Sequence, residues 1–136
     1  GEYEEKLAAN KLELVVTSPE ENVYIYADGR LMWRVFDNLM NNVCKYAQRS
    51  TRVYLTLEEK NGEAIISFKN ISREPLNLST DELLERFVQG DNSRKSEGNG
   101  LGLSIAKSLT ELQNGTMELT TDGDLFKVVL RFPTIS

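Results

Sequence analysis

The stretch "EGNGLGLSIAKSLTELQNG", residues 97–115, places three glycines at alternate positions directly before an amphipathic run. Gly98, Gly100 and Gly102 carry no side chain, so their placement indicates a backbone that approaches something closely. One candidate is an anion at a helix N-terminus, where free N–H groups and the helix dipole favour negative charge. The pattern alone also fits a flexible loop ahead of a helix, so the rest of the sequence must discriminate between the two.

Composition excludes several classes of function. The 136 residues carry a net charge of −5, and a nucleic-acid partner therefore has little electrostatic support. Histidine is absent, which removes histidine metal sites, Ser-His-Asp triads and imidazole acid–base catalysis. The single cysteine, Cys44, cannot form an internal disulfide, and no apolar run is long enough for a membrane span or signal peptide. We therefore expect a single cytoplasmic domain without membrane contact.

Hydrophobic periodicity predicts an α+β fold. The expected elements are strands at 11–16 and 22–27, a helix over 28–48 capped by Asp28, a hairpin of 52–59 and 63–70 around Asn61-Gly62, helices at 79–87 and 101–112, and strands at 115–122 and 125–133. They form a two-layer α/β sandwich, with helices on one face of a mixed, mostly antiparallel sheet. The long polar stretch 71–100 is typical of a functional loop.

The helix over 28–48 has two distinct faces. Its core face is formed by Met32, Phe36, Leu39, Met40, Val43 and Ala47. A polar stripe lies beside that face rather than opposite it, and contains Arg34, Asn38, Asn42, Lys45 and Arg49, with Tyr46 at the border. The stripe fits a solvated flank. It fits equally a site in which amide oxygens coordinate magnesium, Lys45 meets a phosphate and Tyr46 lies against a flat ring.

Two common glycine motifs do not match. A dinucleotide-binding fingerprint would need glycine where Leu103 stands and a strand directly before it, and the P-loop would need Gly-Lys-Ser/Thr. The order of segments is more specific: "DNLMNNVCKYA" (37–47), "SFKN" (67–70), "ERF" (85–87) and "GNGLGLSIAK" (98–107). This order resembles the ATP-binding catalytic domain of sensor histidine kinases, in the superfamily of gyrase, heat-shock chaperone and mismatch-repair ATPases (the Bergerat fold).

The resemblance covers residues 11–133 and implies ATP held between the Asn-bearing helix and a mobile lid at about 88–100. It implies that residues 1–10 end a linker from an upstream helical domain and that 11–136 form the catalytic domain. Carried over by position, Asn42 is the Mg²⁺ ligand supported by Asn38. The remaining nucleotide-binding positions are Lys45 for the phosphates, Tyr46 and Asn70 for adenine, Arg94 in the lid, and the backbone of Gly98, Gly100, Leu101, Gly102 and Leu103.

The sequence departs from the family in its first glycine box. The family has an aspartate where Asn70 stands, and glycines where Ser72 and Glu74 stand. A neutral hydrogen bond contributes about 0.5–1.5 kcal/mol, against about 1.5–3 for a charged one. We therefore expect weakened ATP binding.

Two further positions are compared with the family. Gln89 stands where the family often carries a phosphate-binding arginine, and Gly115 is expected at a C-cap or turn.

The resemblance implies transfer of the ATP γ-phosphoryl group to a histidine, and relay to a response-regulator aspartate. Because this chain has no histidine, the acceptor must lie on a separate dimerisation domain of the same protein, and the isolated domain is expected to be a monomer. Full-length proteins of this kind are often membrane-anchored. Two alternatives stay open: a non-catalytic interaction module and an anti-sigma type serine kinase. A hydrolytic ATPase is disfavoured, because it would need a carboxylate where Asn38 stands, and Asp37 points about 100° away on the helix.

Overall fold

The computed structural model of the chain describes residues 2–74 and 99–135. Their elements are α1 (Glu2–Ala9), β1 (Glu13–Thr17), α2 (Gly29–Tyr46), β2 (Arg52–Lys60), β3 (Glu63–Ile71), α3 (Asn99–Leu112), β4 (Thr116–Asp122) and β5 (Leu125–Pro133). The predicted helix at 79–87 and the predicted lid up to residue 98 lie outside the described residues.

The strands form one sheet in the order β1-β2-β3-β5-β4. β1 and β2 are parallel, and all other neighbouring pairs are antiparallel. Buried apolar side chains of the helices and the sheet form one core between the two layers. The largest fully buried ones are Phe68, Phe132, Leu39, Leu103, Leu130, Val35, Val53 and Val128. The predicted two-layer α+β sandwich with a mixed sheet is confirmed.

α2 begins at the predicted cap. Asp28 has an extended backbone, and its Oδ1 accepts hydrogen bonds from the N–H groups of Arg30 and Leu31 at 2.8 and 3.2 Å. The helix ends at Tyr46, two residues before the predicted end. It stops there because Ala47 is extended and pairs with the chain that follows β3.

The predicted core face of α2 is confirmed at Leu39, Met40 and Val43, but the buried arc is wider than predicted. Val35 and Cys44 are buried as well. The arc widens because α1 packs against one flank of α2 and α3 against the other. Burial raises the pKa of the Cys44 thiol above its ordinary value, so the side chain stays a neutral thiol in the core.

The prediction of a strand over 22–27 is wrong. Ile25 forms only an isolated bridge with Thr134, and Tyr24 and Tyr26 are exposed. Among the described residues, the backbone of this segment pairs only with the chain after β5 has ended at Pro133, where the carbonyl of Tyr24 accepts a single bond from the N–H of Ile135. Too few partners face it for a ladder to form.

The predicted hairpin of β2 and β3 is confirmed, with strands ending at Lys60 and beginning at Glu63. Asn61 and Gly62 have φ angles of 54° and 78°. Positive φ at both central residues is what a type I′ turn requires, and this turn matches the twist of the flanking strands.

α3 ends in a Schellman motif, in which the N–H of Gly115 donates to Thr110 and that of Asn114 to Glu111. The left-handed residue is Asn114, with φ 66°, rather than Gly115. Gly115 is needed for a different reason: a Cβ there would lie 2.5 Å from Cε1 of Phe132. Gly115 thus lies in the turn after α3, as predicted, and its lack of a side chain also permits the close approach to β5.

Candidate functional site

The polar stripe of α2 is buried in its middle and exposed at its ends. Arg34 and Arg49 are exposed, whereas Asn42 is only 3% exposed and Asn38 is half-buried. Asn38 faces α3, since a Cβ built on Gly102 would lie 3.6 Å from its Oδ1. The structure thus brings the asparagine stripe and the glycine-bearing helix together, as the family resemblance implies.

Two amide atoms on this stripe are buried without a hydrogen-bond partner among the described residues: Nδ2 of Asn38 and Oδ1 of Asn42. Native proteins pair nearly all such atoms, since leaving one unsatisfied costs about 1–3 kcal/mol. An amide oxygen is a suitable ligand for Mg²⁺ or an acceptor for bound water, and an amide N–H donates to anions or water. The pair therefore has the chemistry to receive a ligand.

A basic and an aromatic side chain follow in the last turn of α2. Nζ of Lys45 is buried and lies 5.3 Å from the ring centroid of Tyr46. A cation at this distance is attracted to the face of an aromatic ring. The positive charge is therefore held one turn beyond Asn42, where it can reach an anionic group bound on the stripe.

α3 begins at Asn99, two residues before its predicted start, so Gly100 and Gly102 lie within its first turns rather than ahead of them. N–H groups in the first turn have no partner within the helix, and the dipole makes this end positive. The contact between Gly102 and Asn38 places this end beside the asparagine stripe. The side chain of Leu103 is fully buried in the core, which leaves only its backbone for a ligand.

Asn70 lies at the end of β3, is 3% exposed, and pairs with Phe126 of β5 in the sheet. The residues after it are hydrogen-bonded to the end of α2: the N–H of Gln48 donates to Ile71 at 2.6 Å, and that of Arg73 to Tyr46 at 3.0 Å. These bonds place Asn70 at the same end of the molecule as Tyr46.

Residues 72–74, which follow β3, are held by hydrogen bonds to the turn before β5 and to the end of α2. The N–H of Ser72 donates to the carbonyl of Asp124 at 2.7 Å, and its Oγ accepts from the N–H of Glu74 at 3.3 Å. The guanidinium of Arg73 donates to the carbonyl oxygens of Ala47 and Lys45, which the helix leaves unpaired. Sequence reasoning missed this role, because the partners lie 26 and 28 residues away and no local pattern marks them.

Several predicted positions lie wholly or partly outside the part of the chain that the structure describes. Arg94 and Gly98 lie outside the described residues, and Gly100 and Leu101 are described only as backbone of α3. Within residues 2–74 and 99–135, no group of three or more His, Cys, Asp or Glu side chains is placed to hold a metal ion. None of the helices described there is long and apolar enough to cross a membrane.

Comparison with known proteins agrees with this geometry. Residues 27–135 match the family described as histidine kinase-, DNA gyrase B-, and HSP90-like ATPase. The heme sensor protein HssS of Staphylococcus saprophyticus is 32% identical over 119 residues, covering 87% of this chain and 25% of that protein. The sensor histidine kinase HprS of Escherichia coli is 34% identical over 116 residues, covering 82% of this chain and 25% of that protein. The chain thus spans about a quarter of the length of these relatives.

Solved structures share the fold. The Acinetobacter baumannii histidine kinase AdeS superposes with a TM-score of 0.77 at 18% identity, covering 99% of this chain and 60% of that one. The catalytic domain of histidine kinase ThkA gives 0.77 at 21% identity, covering 96% and 84%. Family match, relatives and fold agree: the chain belongs to the histidine kinase-, DNA gyrase B- and HSP90-like ATPase family, as an ATP-binding catalytic domain of the sensor histidine kinase type.

Proposed function

We propose that the chain binds Mg-ATP between α2 and the N-terminal end of α3 and donates the γ-phosphoryl group to a histidine on a separate domain. The observation that carries this proposal is the buried amide pair, Nδ2 of Asn38 and Oδ1 of Asn42. Both atoms lack partners within the described chain, on the helix face that meets the first turns of α3.

Asn42 fits the metal because its buried Oδ1 is available as a ligand. Mg²⁺ keeps waters and phosphate oxygens for most of its coordination shell, so one protein ligand is enough, and Nδ2 of Asn38 can donate to a phosphate oxygen. Bound Mg²⁺ would neutralise charge on the phosphates. Lys45 contributes a second positive charge, held close by its position over Tyr46.

Tyr46 and Asn70 are assigned to the adenine. The ring of Tyr46 offers a flat apolar surface, and the carbonyl of the Asn70 side chain accepts a bond from the adenine amino group. Because Asn70 is neutral, the adenine is held less strongly than by an aspartate. The phosphates are assigned to backbone N–H groups at the start of α3, over Gly98, Gly100, Leu101, Gly102 and Leu103, and to Arg94.

Phosphoryl transfer needs chiefly positioning and charge neutralisation, which these residues supply. The acceptor comes from elsewhere, because the chain contains no histidine. We assign it to the dimerisation domain of the same protein, with relay to a response regulator in the cytoplasm. Hydrolysis is disfavoured, because Asn38 stands where a hydrolytic relative has its carboxylate and cannot act as a base.

Calorimetric titration with ATP, with and without Mg²⁺, tests the proposal. We expect affinity to rise with Mg²⁺, and Asn42→Ala to abolish that dependence. Asn41→Ala is the matched control, because Asn41 is on the same helix but bonds to Lys6 outside the site. Absence of binding with and without Mg²⁺ would contradict the proposal and favour a non-catalytic interaction module.

A phosphotransfer assay tests the acceptor. The chain, [γ-³²P]ATP and the dimerisation domain of its parent protein are combined, and a second sample carries that domain with every histidine replaced by glutamine. We expect acid-labile label only in the first sample. Equal, acid-stable label in both would instead indicate a serine kinase.

A further inference from the structure

Gln113 lies directly after α3 and joins the end of that helix to the start of α2. Its Oε1 accepts a hydrogen bond from the N–H of Asp28 at 2.8 Å, and its Nε2 donates to the carbonyl of Leu109 at 3.0 Å. Asp28 is the N-cap of α2 and Leu109 lies in the last turn of α3, so neither backbone group has its usual partner within a helix. The side chain of Gln113 is only 9% exposed. One buried amide therefore satisfies a backbone group of each helix.

The same two helices meet again at the other end of α3. A Cβ built on Gly102 would lie only 3.6 Å from Oδ1 of Asn38 on α2. At 1.5 Å per residue, this contact is about 15 Å from Asp28 along α2 and about 17 Å from Gln113 along α3. α2 and α3 therefore run antiparallel, with a contact near each end of the length they share. Because each helix is rigid over this length, a change at one contact alters the angle between the helices and the gap at the other.

The proposed triphosphate site spans the gap at the second contact. Asn42 on α2 is assigned to Mg²⁺, and the N–H groups at the start of α3 are assigned to the phosphates. Adenine is assigned elsewhere, to Tyr46 at the end of α2 and Asn70 at the end of β3. Binding of the phosphates thus depends on the angle between α2 and α3, and binding of the adenine does not.

We propose that Gln113 is a positioning residue for the phosphates. Its amide holds α3 at the angle to α2 at which the start of α3 and Asn42 contact the same triphosphate. Gln113 acts through α3, because it lies at the end of that helix away from Gly102. The inference rests on the proposed function, which supplies the phosphates that are positioned.

Nucleotide titrations separate positioning from stability. Gln113→Met removes both hydrogen bonds of the amide at a similar side-chain size. We expect the Kd for Mg-ATP to rise by about three- to tenfold, the range that loss of one neutral hydrogen bond allows, and the Kd for adenosine to stay the same. Gly115→Ala is the control, because its added Cβ meets β5 at the same end of α3. Both Kd values of this control should match those of the parent chain.

The orientation of α3 is measured without nucleotide, so that failure of this inference is distinct from failure of the proposed function. Residual dipolar couplings of the amide N–H groups give the orientation of α3 relative to α2. We expect Gln113→Met to change this orientation and Gly115→Ala to keep that of the parent chain. An unchanged orientation in Gln113→Met would overturn the inference even if the parent chain bound Mg-ATP. Absence of ATP binding by the parent chain would instead contradict the proposed function.

The parent chain gives a further check that needs no variant. Coupling between two sites is reciprocal, so phosphates bound at the start of α3 must affect the hydrogen bond between Asp28 and Gln113. We expect saturating Mg-ATP to shift the amide resonance of Asp28 at least about twice as far as saturating adenosine does. Equal shifts would overturn the inference. Equal losses of Mg-ATP and adenosine affinity in Gln113→Met would also overturn it, because Gln113 would then support the whole fold rather than position the phosphates.

Discussion

At the residue scale, Asn42 carries the buried amide oxygen that the proposed function assigns to Mg²⁺. It is 3% exposed, and its Oδ1 has no hydrogen-bond partner among the described residues. A buried carbonyl oxygen without a hydrogen-bond partner lowers the free energy of unfolding by about 1–3 kcal/mol. The unliganded domain therefore carries a cost in stability at this position, which a ligand bound as proposed would remove.

Replacing Asn42 by leucine should separate its effect on stability from its effect on nucleotide binding. We expect Asn42→Leu to raise the free energy of unfolding without nucleotide by about 1 kcal/mol, because an apolar group of similar size replaces the unsatisfied oxygen. Mg-ATP binding should be lost. Urea denaturation measures the first effect and calorimetry the second, with Asn41→Leu as the control. A variant that is both less stable and binding-competent would show that Oδ1 is not the ligand.

Sequence periodicity was enough to place Asn38, Asn42 and Lys45 on one stripe, because a helix fixes the angle between its residues. It could not separate the buried middle of that stripe from its exposed ends. That difference arises from α3, which begins 53 residues after α2 ends and covers Asn38 through Gly102. Which stripe residues are buried is thus a tertiary property.

At the element scale, the end of α2 is held by a side chain from the segment after β3. Arg73 donates to the carbonyls of Lys45 and Ala47, and its backbone N–H to that of Tyr46. A cation at a helix C-terminus is also favoured by the dipole. The turn that carries Lys45 and Tyr46 is therefore tied to the strand that carries Asn70.

Removing the hydrogen bonds of the Arg73 guanidinium should destabilise the last turn of α2. We expect Arg73→Met to lower the free energy of unfolding by about 0.5–1.5 kcal/mol and to weaken Mg-ATP binding several-fold, with Arg73→Lys intermediate because lysine lacks the planar fork. Arg49→Met, at an exposed position just beyond the helix, is the control. If Arg73→Met binds Mg-ATP as the parent chain does, the guanidinium does not position the turn.

The other end of α3 depends on a close approach. A Cβ at Gly115 would lie 2.5 Å from Cε1 of Phe132 and 2.9 Å from the carbonyl oxygen of Arg131. We expect Gly115→Ala to lower the free energy of unfolding by about 1–3 kcal/mol through overpacking. Gly29→Ala is the control, because no atom lies within 4 Å of the added Cβ and alanine favours the helix. Equal urea midpoints for the two variants would contradict the prediction.

Elements were predictable where a local signal decides them. Asn61-Gly62 specified its turn because positive φ is a property of those two residues, and Asp28 specified the start of α2 because its side chain bonds within its own turn. The segment 22–27 has the alternation of a strand, but among the described residues its backbone pairs only with Thr134 and Ile135. Strand formation needs a partner, which alternation does not supply.

At the scale of the whole molecule, α2 is the element on which core and site both depend. One arc carries Leu39 and Val43 into the core, and the adjoining stripe carries Asn42 and Lys45, which are assigned to the proposed nucleotide site. A ligand bound to the stripe is therefore coupled to unfolding of the entire domain, because the stripe does not survive loss of the core.

Linkage makes this coupling measurable. At a free Mg-ATP concentration of one hundred times Kd, the free energy of unfolding should rise by about 2.7 kcal/mol. Gly115→Ala should gain the same increment despite its lower starting stability, because Gly115 and Asn42 lie at separate sites whose effects add. Asn42→Leu should gain none. Urea denaturation of the three proteins, each with and without Mg-ATP, gives the six values needed. A smaller increment for Gly115→Ala would mean that the contact between Gly115 and β5, at the C-terminal end of α3, is coupled to the site. A full increment for Asn42→Leu would show that the nucleotide does not bind at the asparagine stripe.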